Sequence, residues 1–471
     1  MNSIVVGLLG FATIVAIVVT LFKSKMTPAL AFICYPSILA LILVLVGYYS
    51  VDDIGELIKQ GFTSTGPTAA LFVFSVTFFG IMTDAGMFDV IINKLMSKVG
   101  DSVMGVSIMT CVLAIIGHLD GGGASTFLIV VPSMLPIYKK MHMRATSLLR
   151  IAVLSMGVMN LMPWAGPTMR AASVLGMEAG SLWRTIVPVQ IFGIILAMAH
   201  AVLTGFQEKT RGAGLHGKLA AEEGEVILSD EEKENANELA RPKLFAFNLI
   251  LTIAVIAMLI WDKFPSYYPF MLGVLIALLV NYRHLNLMKK VLNSHAEASM
   301  MMCTTLMGAA VLMGIMVKAV PADGATTLNL AISSKLALPE GTETASVVTC
   351  MSDVITMILP DFLGKHLPIV IGVLSVPLAL AFDTDSYFYG MLPVMIGIGA
   401  SYGVDALPIA IAMVICRNCA TFISPMVPAT LLGLGLADVS IKDHIKNSFL
   451  YVWAFSIICM IFSIIIGIIP L

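Results

Sequence analysis

Apolar residues run in blocks of roughly 18 or more along most of the chain, and short polar clusters separate them. At about 1.5 Å of rise per residue, blocks of that length predict helices able to cross a bilayer. The pattern predicts spans at 3–22, 28–49, 66–86, 145–164 continuing to about 178, and 185–205. After a polar interval it predicts 244–262, 267–281, 299–319, an interrupted 406–437, and 448–470. Two apolar pairs, 103–118 with 124–138 and 366–382 with 386–400, do not fit as simple crossings.

Composition strengthens this reading. The chain is 58% hydrophobic and 12% charged, against about 25% charged residues in an ordinary soluble domain. The expected class is an all-α polytopic membrane protein. Net charge is −2, which offers no bulk attraction to nucleic acid. The run Ile4–Phe22 lacks a basic start and a small-residue cleavage site, so it reads as a first span rather than a leader. The seven cysteines lie mostly in apolar runs, and Cys416-Arg-Asn-Cys419 has no second pair, so zinc or redox chemistry is not indicated.

Charge placement orients the spans. Lys23 and Lys25 follow the first, Lys94 and Lys98 the third, and Lys139, Lys140 and Arg144 follow 103–138. With the N-terminus outside, all these loops satisfy the positive-inside rule only if 103–138 enters and leaves on the cytoplasmic side. That makes it a re-entrant hairpin with "HLDGGG" at its tip. Residues 206–243 carry nine acidic and six basic residues by count and no apolar stripe, as expected of a cytoplasmic hydrophilic linker. Segment 325–365 is too polar in part to span and is expected outside, along the interface.

Five crossings per half give the halves opposite orientation, and the sequence repeats accordingly. Ser125-Thr-Phe127 precedes Pro132 as Ser386-Tyr-Phe388 precedes Pro393. Asn160 precedes Pro167 by seven residues, as Asn418 precedes Pro425. The expected organisation is an inverted repeat. Residues 1–205 form the first unit, with hairpin 103–138 and broken helix 145–178. Residues 244–471 form the second, with hairpin 366–400 and broken helix 406–437.

Prolines 163, 167, 425 and 428 fall inside spans, where they remove donors and break helices. Such breaks are tolerated where protein or a water-filled cavity meets the freed backbone. Helix N-termini brought to mid-membrane favour an anion, and unwound carbonyls favour cations. Gly121, Gly122 and Gly123 allow a sharp turn and close approach to a ligand. Asp120, Asp383 and Asp385 are the candidates for metal or proton coupling, since an intramembrane carboxylate usually marks an ion path; hairpin capping is the competing role. Candidate substrate contacts are Gly121, Gly122, Gly123, Ser125, Thr126, Asn160, Gly166, Pro167 and Thr168 in the first half. In the second they are Thr384, Ser386, Arg417, Asn418, Ser424 and Pro425. Asn160 and Asn418 could instead join helices, and Ser125 and Thr126 could cap the second hairpin arm. Arg417 could meet a substrate carboxylate or pair with an aspartate. His118 reads as a packing histidine, with a proton carrier as the competing role, and Arg170 as a cation snorkelling to the surface, with a position facing the site as the competing one.

At "LDGGGASTFLIVVPSMLP", "GVMNLMPWAGPTMRAAS", "YFYGMLPV" and "SPMVPATLLGLGLADV" the chain resembles the citrate–metal complex:proton symporter family (CitMHS) of the ion transporter superfamily. The resemblance implies proton-coupled uptake of citrate chelated to a divalent metal, Mg²⁺ or similar, across the plasma (inner) membrane. It implies alternating access, a homodimer and no permanently bound cofactor. The family pattern at the first tip, L-D-G-D-G, has a second Asp where this chain has Gly122. The alternative is therefore symport of a free di- or tricarboxylate with protons or sodium, with Arg417 as an added contact. A cation/proton antiporter is a further reading; hydroxyl-rich tips and Arg417 favour an anion. No H-E-x-x-H, P-loop or nucleophile motif points to an enzyme or an ATP-driven pump.

Overall fold

A computed structural model of the chain describes residues 3–23, 26–96, 102–214, 239–261, 263–318, 320–321 and 342–470. The first half contains α1 (Ser3–Phe22), α2 (Pro28–Leu45), α3 (Val51–Asp84), α4 (Met87–Met96), α5 (Val103–Gly117), α6 (Gly123–Lys140), α7 (Ala145–Met159), α8 (Gly166–Leu175) and α9 (Ala179–Arg211). The second contains α10 (Phe245–Trp261), α11 (Tyr267–Asn281), α12 (Leu285–Ser294), α13 (Ala296–Val317), α14 (Val347–Thr356), α15 (Asp361–Lys365) and α16 (Leu367–Ala379). A π-helical turn, Ser386–Met391, then leads into α17 (Leu392–Ser401), followed by α18 (Ala406–Cys419), α19 (Pro428–Ala437) and α20 (Ile441–Ile465). A two-residue strand β1 (Val320–Pro321) pairs antiparallel with β2 (Thr342–Thr344).

Among the described residues, eight helices are long and apolar enough to cross a membrane. Their outward faces carry Leu8, Leu41, Ile195, Ile253 and Ile461, all exposed. Large apolar side chains stay uncovered in this way where lipid, not water, is the solvent.

The two halves pack reciprocally. α3 lies against α13; α2 packs on α13 as α11 packs on α3. Hairpin arm α5 packs on α7 and α9, and arm α16 packs on α18 and α20. The second arms cross over: α6 lies on α19, and the π turn lies on α8. Each hairpin is thus seated on the other half's broken helix.

α5 and α6 are joined through 118–122 and α16 and α17 through 380–391, while helix is interrupted between α7 and α8 and between α18 and α19. Four expectations are corrected. The third span starts at Val51, not residue 66, because Ser50 and Asp53 form a reciprocal cap that starts the helix in polar sequence. The last helix likewise starts at Ile441 rather than 448, capped by Ser440. Part of 325–365 is a packed helix, not a surface stretch: α14 buries Val347, Val348, Cys350 and Met351 against α1 and α17. Residues 325–341 of that segment, and 215–238 of the linker 206–243, lie outside the described residues. α9 runs on to Arg211, past the expected boundary at 205.

Candidate functional site

The first tip turns at a single left-handed residue. Gly121 has φ +73°, whereas Gly122 is extended and Gly123 opens α6. A side chain at Gly121 would be strained by that φ. Asp120 accepts from Gly122 N at 2.7 Å and from Ser125 Oγ, and Ser125 also reaches Gly122 O at 2.9 Å. Thr126 donates to Gly122 O at 2.7 Å. The tip is therefore closed by its own hydroxyls. A Cβ on Gly122 would fall 2.5 Å from Ser125 Oγ and 3.0 Å from Asp120 Oδ2, so a larger residue there must displace the Ser125–Asp120 contact.

Gly121 lies 3.5 Å, measured from an added Cβ, from Ala165 and Trp164 of the first break. Trp164 Nε1 donates to Leu119 O at 2.8 Å, and its ring stacks among Phe79 and Phe270. On the other side Gly123 abuts Phe422 and Ala429 of the second break. Phe422 also meets His118 and Phe127 edge to face. The first tip thus sits between the two breaks.

The breaks themselves cross. α7 ends at Asn160, and α18 ends one residue past Asn418. Asn418 Nδ2 donates to Asn160 O at 3.1 Å, and Thr168 Oγ1 donates to the same carbonyl at 3.0 Å. A Cβ on Gly157 would lie 2.8 Å from Asn418 O, so a glycine is what lets the two chains approach. His118 is buried, with Nδ1 2.7 Å from Thr126 Oγ1 and Nε2 3.0 Å from Asn160 Oδ1. It is the fully partnered histidine expected, and it ties the first tip to the first break.

The second tip reaches outward. Asp383 accepts from Asp385 N and Ser386 N, both at 3.2 Å, and so caps the π turn. Asp385 binds Arg170 Nε at 2.5 Å, across 215 residues. The pair is 13% and 8% exposed. Arg170 is therefore not a surface cation. It projects from α8 into the second tip, because a guanidinium at that depth needs a carboxylate partner. Arg417 is completely buried. Its nitrogens donate to Thr421 Oγ1 (3.1 Å), Thr384 Oγ1 (3.2 Å) and Phe382 O (3.4 Å), and its guanidinium lies 5.6 Å from the Tyr387 ring centre. Among the described residues it makes no ion pair.

Ser424 is buried and accepts from Met426 N at 3.2 Å; Pro425 and Pro428 beside it are exposed. Gly166 and Pro167 start α8, as Pro428 starts α19. At the N-cap positions of α6, α8 and α19, Gly122, Ala165 and Val427 bring no side-chain cap. These helix starts keep unshared N–H groups and a partial positive charge, worth about 0.3–2 kcal/mol per end toward an anion. Several buried polar atoms here have no protein partner: Asn160 Nδ2, Asn418 Oδ1, Arg417 Nε, Ser386 Oγ and Thr430 Oγ1. Such orphans are few in native proteins and call for an explanation. Asp120, Asp383 and Asp385 do not converge: among the described residues no three His, Cys, Asp or Glu side chains gather around one metal-sized point. Trp164 and Tyr387 are not candidate contacts by sequence, and Arg170 is so only as the competing reading, since their partners lie far away in the chain.

Comparison with known proteins fits this geometry. Residues 36–415 match the family described as citrate transporter. The chain is 31% identical over 463 residues to a citrate transporter of Bacillus subtilis (strain 168), covering 98% of this chain and 99% of that one. It is 30% identical over 448 residues, 95% of each chain, to a Mg²⁺/citrate complex secondary transporter of the same organism. Among solved structures it resembles the Alcanivorax borkumensis YdaH transporter, with TM-score 0.53 and 12% identity over 88% of this chain and 89% of that one. At that identity the likeness concerns the fold alone.

Proposed function

The chain belongs to the citrate transporter family, a family of multi-pass membrane transporters and not of enzymes, and on that premise we propose that it takes up citrate as a divalent-metal complex together with protons. The observation that carries this reading is the seating of each hairpin on the other half's broken helix, which gathers three uncapped helix starts and Arg417 around the tips.

Charge decides between cargoes. The tips and breaks hold three carboxylates, Asp120, Asp383 and Asp385, against two guanidinium groups, Arg170 and Arg417. With all of them ionised, one negative charge remains. Citrate carries about −3 at neutral pH, and chelation of a divalent ion by its oxygens leaves about −1. Excess charge out of water is costly unless paired. A chelated citrate therefore needs few further cations, and a free one needs several. Protons on Asp120 and Asp383 supply them, consistent with the use of intramembrane carboxylates as proton relays. The metal is part of the cargo, so no resident metal site is required.

In this account Arg417 and the helix starts of α6, α8 and α19 hold cargo carboxylates. Thr384, Ser386, Asn160, Asn418 and Thr430 offer hydroxyls and amides to its remaining oxygens. Gly121, Gly122 and Gly123 bring main chain close. The hairpins, with α7–α8 and α18–α19, move as a unit against the outer helices, exposing the site to each side in turn. The repeat 1–205 runs opposite to 244–471, the N-terminus lies outside, 206–243 is a cytoplasmic linker, the membrane is the plasma membrane, and two copies form a homodimer.

Symport of a free di- or tricarboxylate, with protons or sodium, is the second reading. Arg417 favours it: a buried guanidinium without an ion pair is a ready partner for a carboxylate left unchelated. Uptake of labelled citrate into proteoliposomes under an imposed proton gradient, with and without Mg²⁺, decides. Mg²⁺-dependent uptake supports the first reading. Uptake that Mg²⁺ suppresses supports the second.

A further inference from the structure

At the far end of α7 from the breaks, a cavity of about 530 Å³ opens among α7, α9 and α20. Arg144, Arg150, Arg211 and Lys446 line it, with Gln207 and Tyr451. Arg150 and Asn160 are ten residues apart on one helix, about 15 Å along the axis, so this is not the site of the tips. Two of its cations, Arg144 and Arg211, belong to the loop after 103–138 and to segment 206–243, both of which the sequence places on the cytoplasmic side.

The cavity holds unbalanced positive charge. Buried Glu208 binds Arg144 at 2.6 Å and Arg211 at 2.8 Å, so one carboxylate serves two cations. Arg150 and Lys446 make no ion pair among the described residues. Arg150 is 2% exposed, yet its partners are neutral: Thr204 Oγ1 at 3.1 Å, Gln207 Oε1 at 2.8 Å, and the face of Tyr451 at 4.1 Å. Its Nε is buried and has no hydrogen-bond partner among the described residues. A buried arginine fixed this way and lacking a counter-ion is a built anion site, not a solvated surface charge.

The surroundings indicate which anion. Next to the cavity, α9 exposes Leu203 (47%) and Phe206 (56%), one turn from Gln207 and Thr210. α20 exposes Leu450 (69%), adjacent to Tyr451 and one turn from Asn447. Residues three and four apart share a helix face, so uncovered apolar stripes on both helices lead into the basic cavity. That arrangement suits an amphiphile with an anionic head and acyl chains. Basic pockets between spans at the cytoplasmic end bind acidic lipid head groups by this logic.

We infer that this cavity binds the phosphate-bearing head group of an anionic membrane lipid, with its chains lying along Leu203, Phe206 and Leu450. The test uses full-length protein in nanodiscs of phosphatidylcholine with or without phosphatidylglycerol, and reads retained lipid by native mass spectrometry. Selective retention of phosphatidylglycerol is expected, falling roughly fivefold in Lys446→Gln, about the contribution of one interfacial cation. Arg150→Gln lowers it further, and Arg150→Lys, which keeps the charge, retains most of it. Lys446 is exposed, so its variant folds even if Arg150→Gln does not. Two results overturn the proposal. One is retention without selectivity, or selectivity unchanged in Lys446→Gln. The other is equal stabilisation of delipidated protein by inorganic phosphate or citrate without lipid selectivity, which makes the site one for soluble anions.

Discussion

The two hairpin tips carry similar residues and use them in opposite ways. At the first, Asp120 bonds among the described residues to Gly122 and Ser125 of its own turn, so its charge fixes the start of α6. At the second, Asp383 caps the π turn while Asp385 crosses to Arg170 in the other half, beside a buried Arg417 that pairs with no carboxylate among the described residues. A locally satisfied carboxylate makes a rigid part. One satisfied across halves makes a joint whose energy depends on where the halves stand. The second tip is thus the charge-sensitive element, and the first is the platform against which it works.

Arg417 bears the sharpest consequence. Arg417→Gln is expected to abolish citrate uptake with the protein still inserted; loss of a buried charged contact costs about 3–5 kcal/mol, a factor of roughly 10² or more. Near-normal initial rates in proteoliposomes would remove Arg417 from cargo binding. Asp383→Asn comes next, with uptake reduced by at least about tenfold, because it removes a proton site and leaves one of the two main-chain N–H groups of the π turn without its acceptor. Asp120→Asn is expected to fall less, since an amide can accept from Gly122 N through Oδ1 and donate to Ser125 Oγ through Nδ2. If the order of these two is reversed, the contrast between the tips is wrong.

The joint is tested by a double-mutant cycle. Arg170→Gln and Asp385→Asn alone each leave an unpaired buried charge and are expected to lower thermal stability. The pair together should lose less than the sum of the two, since removing both partners can be nearly neutral. Additive losses would mean the ion pair has no energetic role. The smallest effect is expected at the crossing of the breaks. Gly157→Ala forces a Cβ against Asn418 O and is expected to cost about 1–3 kcal/mol of stability by overpacking.

Much of this was legible in the residues. Gly121–Gly123 and prolines 163, 167, 425 and 428 mark the tip and the breaks, because no other residues so reliably end a helix within an apolar run. The S-x-F-x4-P and Asn-to-Pro spacings relate the halves. What local sequence conceals is long-range. Arg170 looks like a snorkelling cation until its partner, 215 residues on, is placed beside it. Trp164 looks like core until its ring nitrogen meets Leu119 O. Polar residues 51–65 read as loop by hydropathy, although the Ser50–Asp53 cap already signalled a helix start. Hydropathy weighs side chains singly, whereas helices here bury polar faces against one another, as α3 does with Gln60, Ser64 and Thr65.

The most direct test is initial uptake of labelled citrate into proteoliposomes, driven by a proton gradient in the presence of Mg²⁺, for the unaltered protein and Asp383→Asn side by side. Gradient-driven accumulation by the first, with the variant exchanging citrate yet no longer responding to the gradient, is the outcome predicted. Equal gradient-driven accumulation by both would contradict the assignment of proton coupling to the second tip.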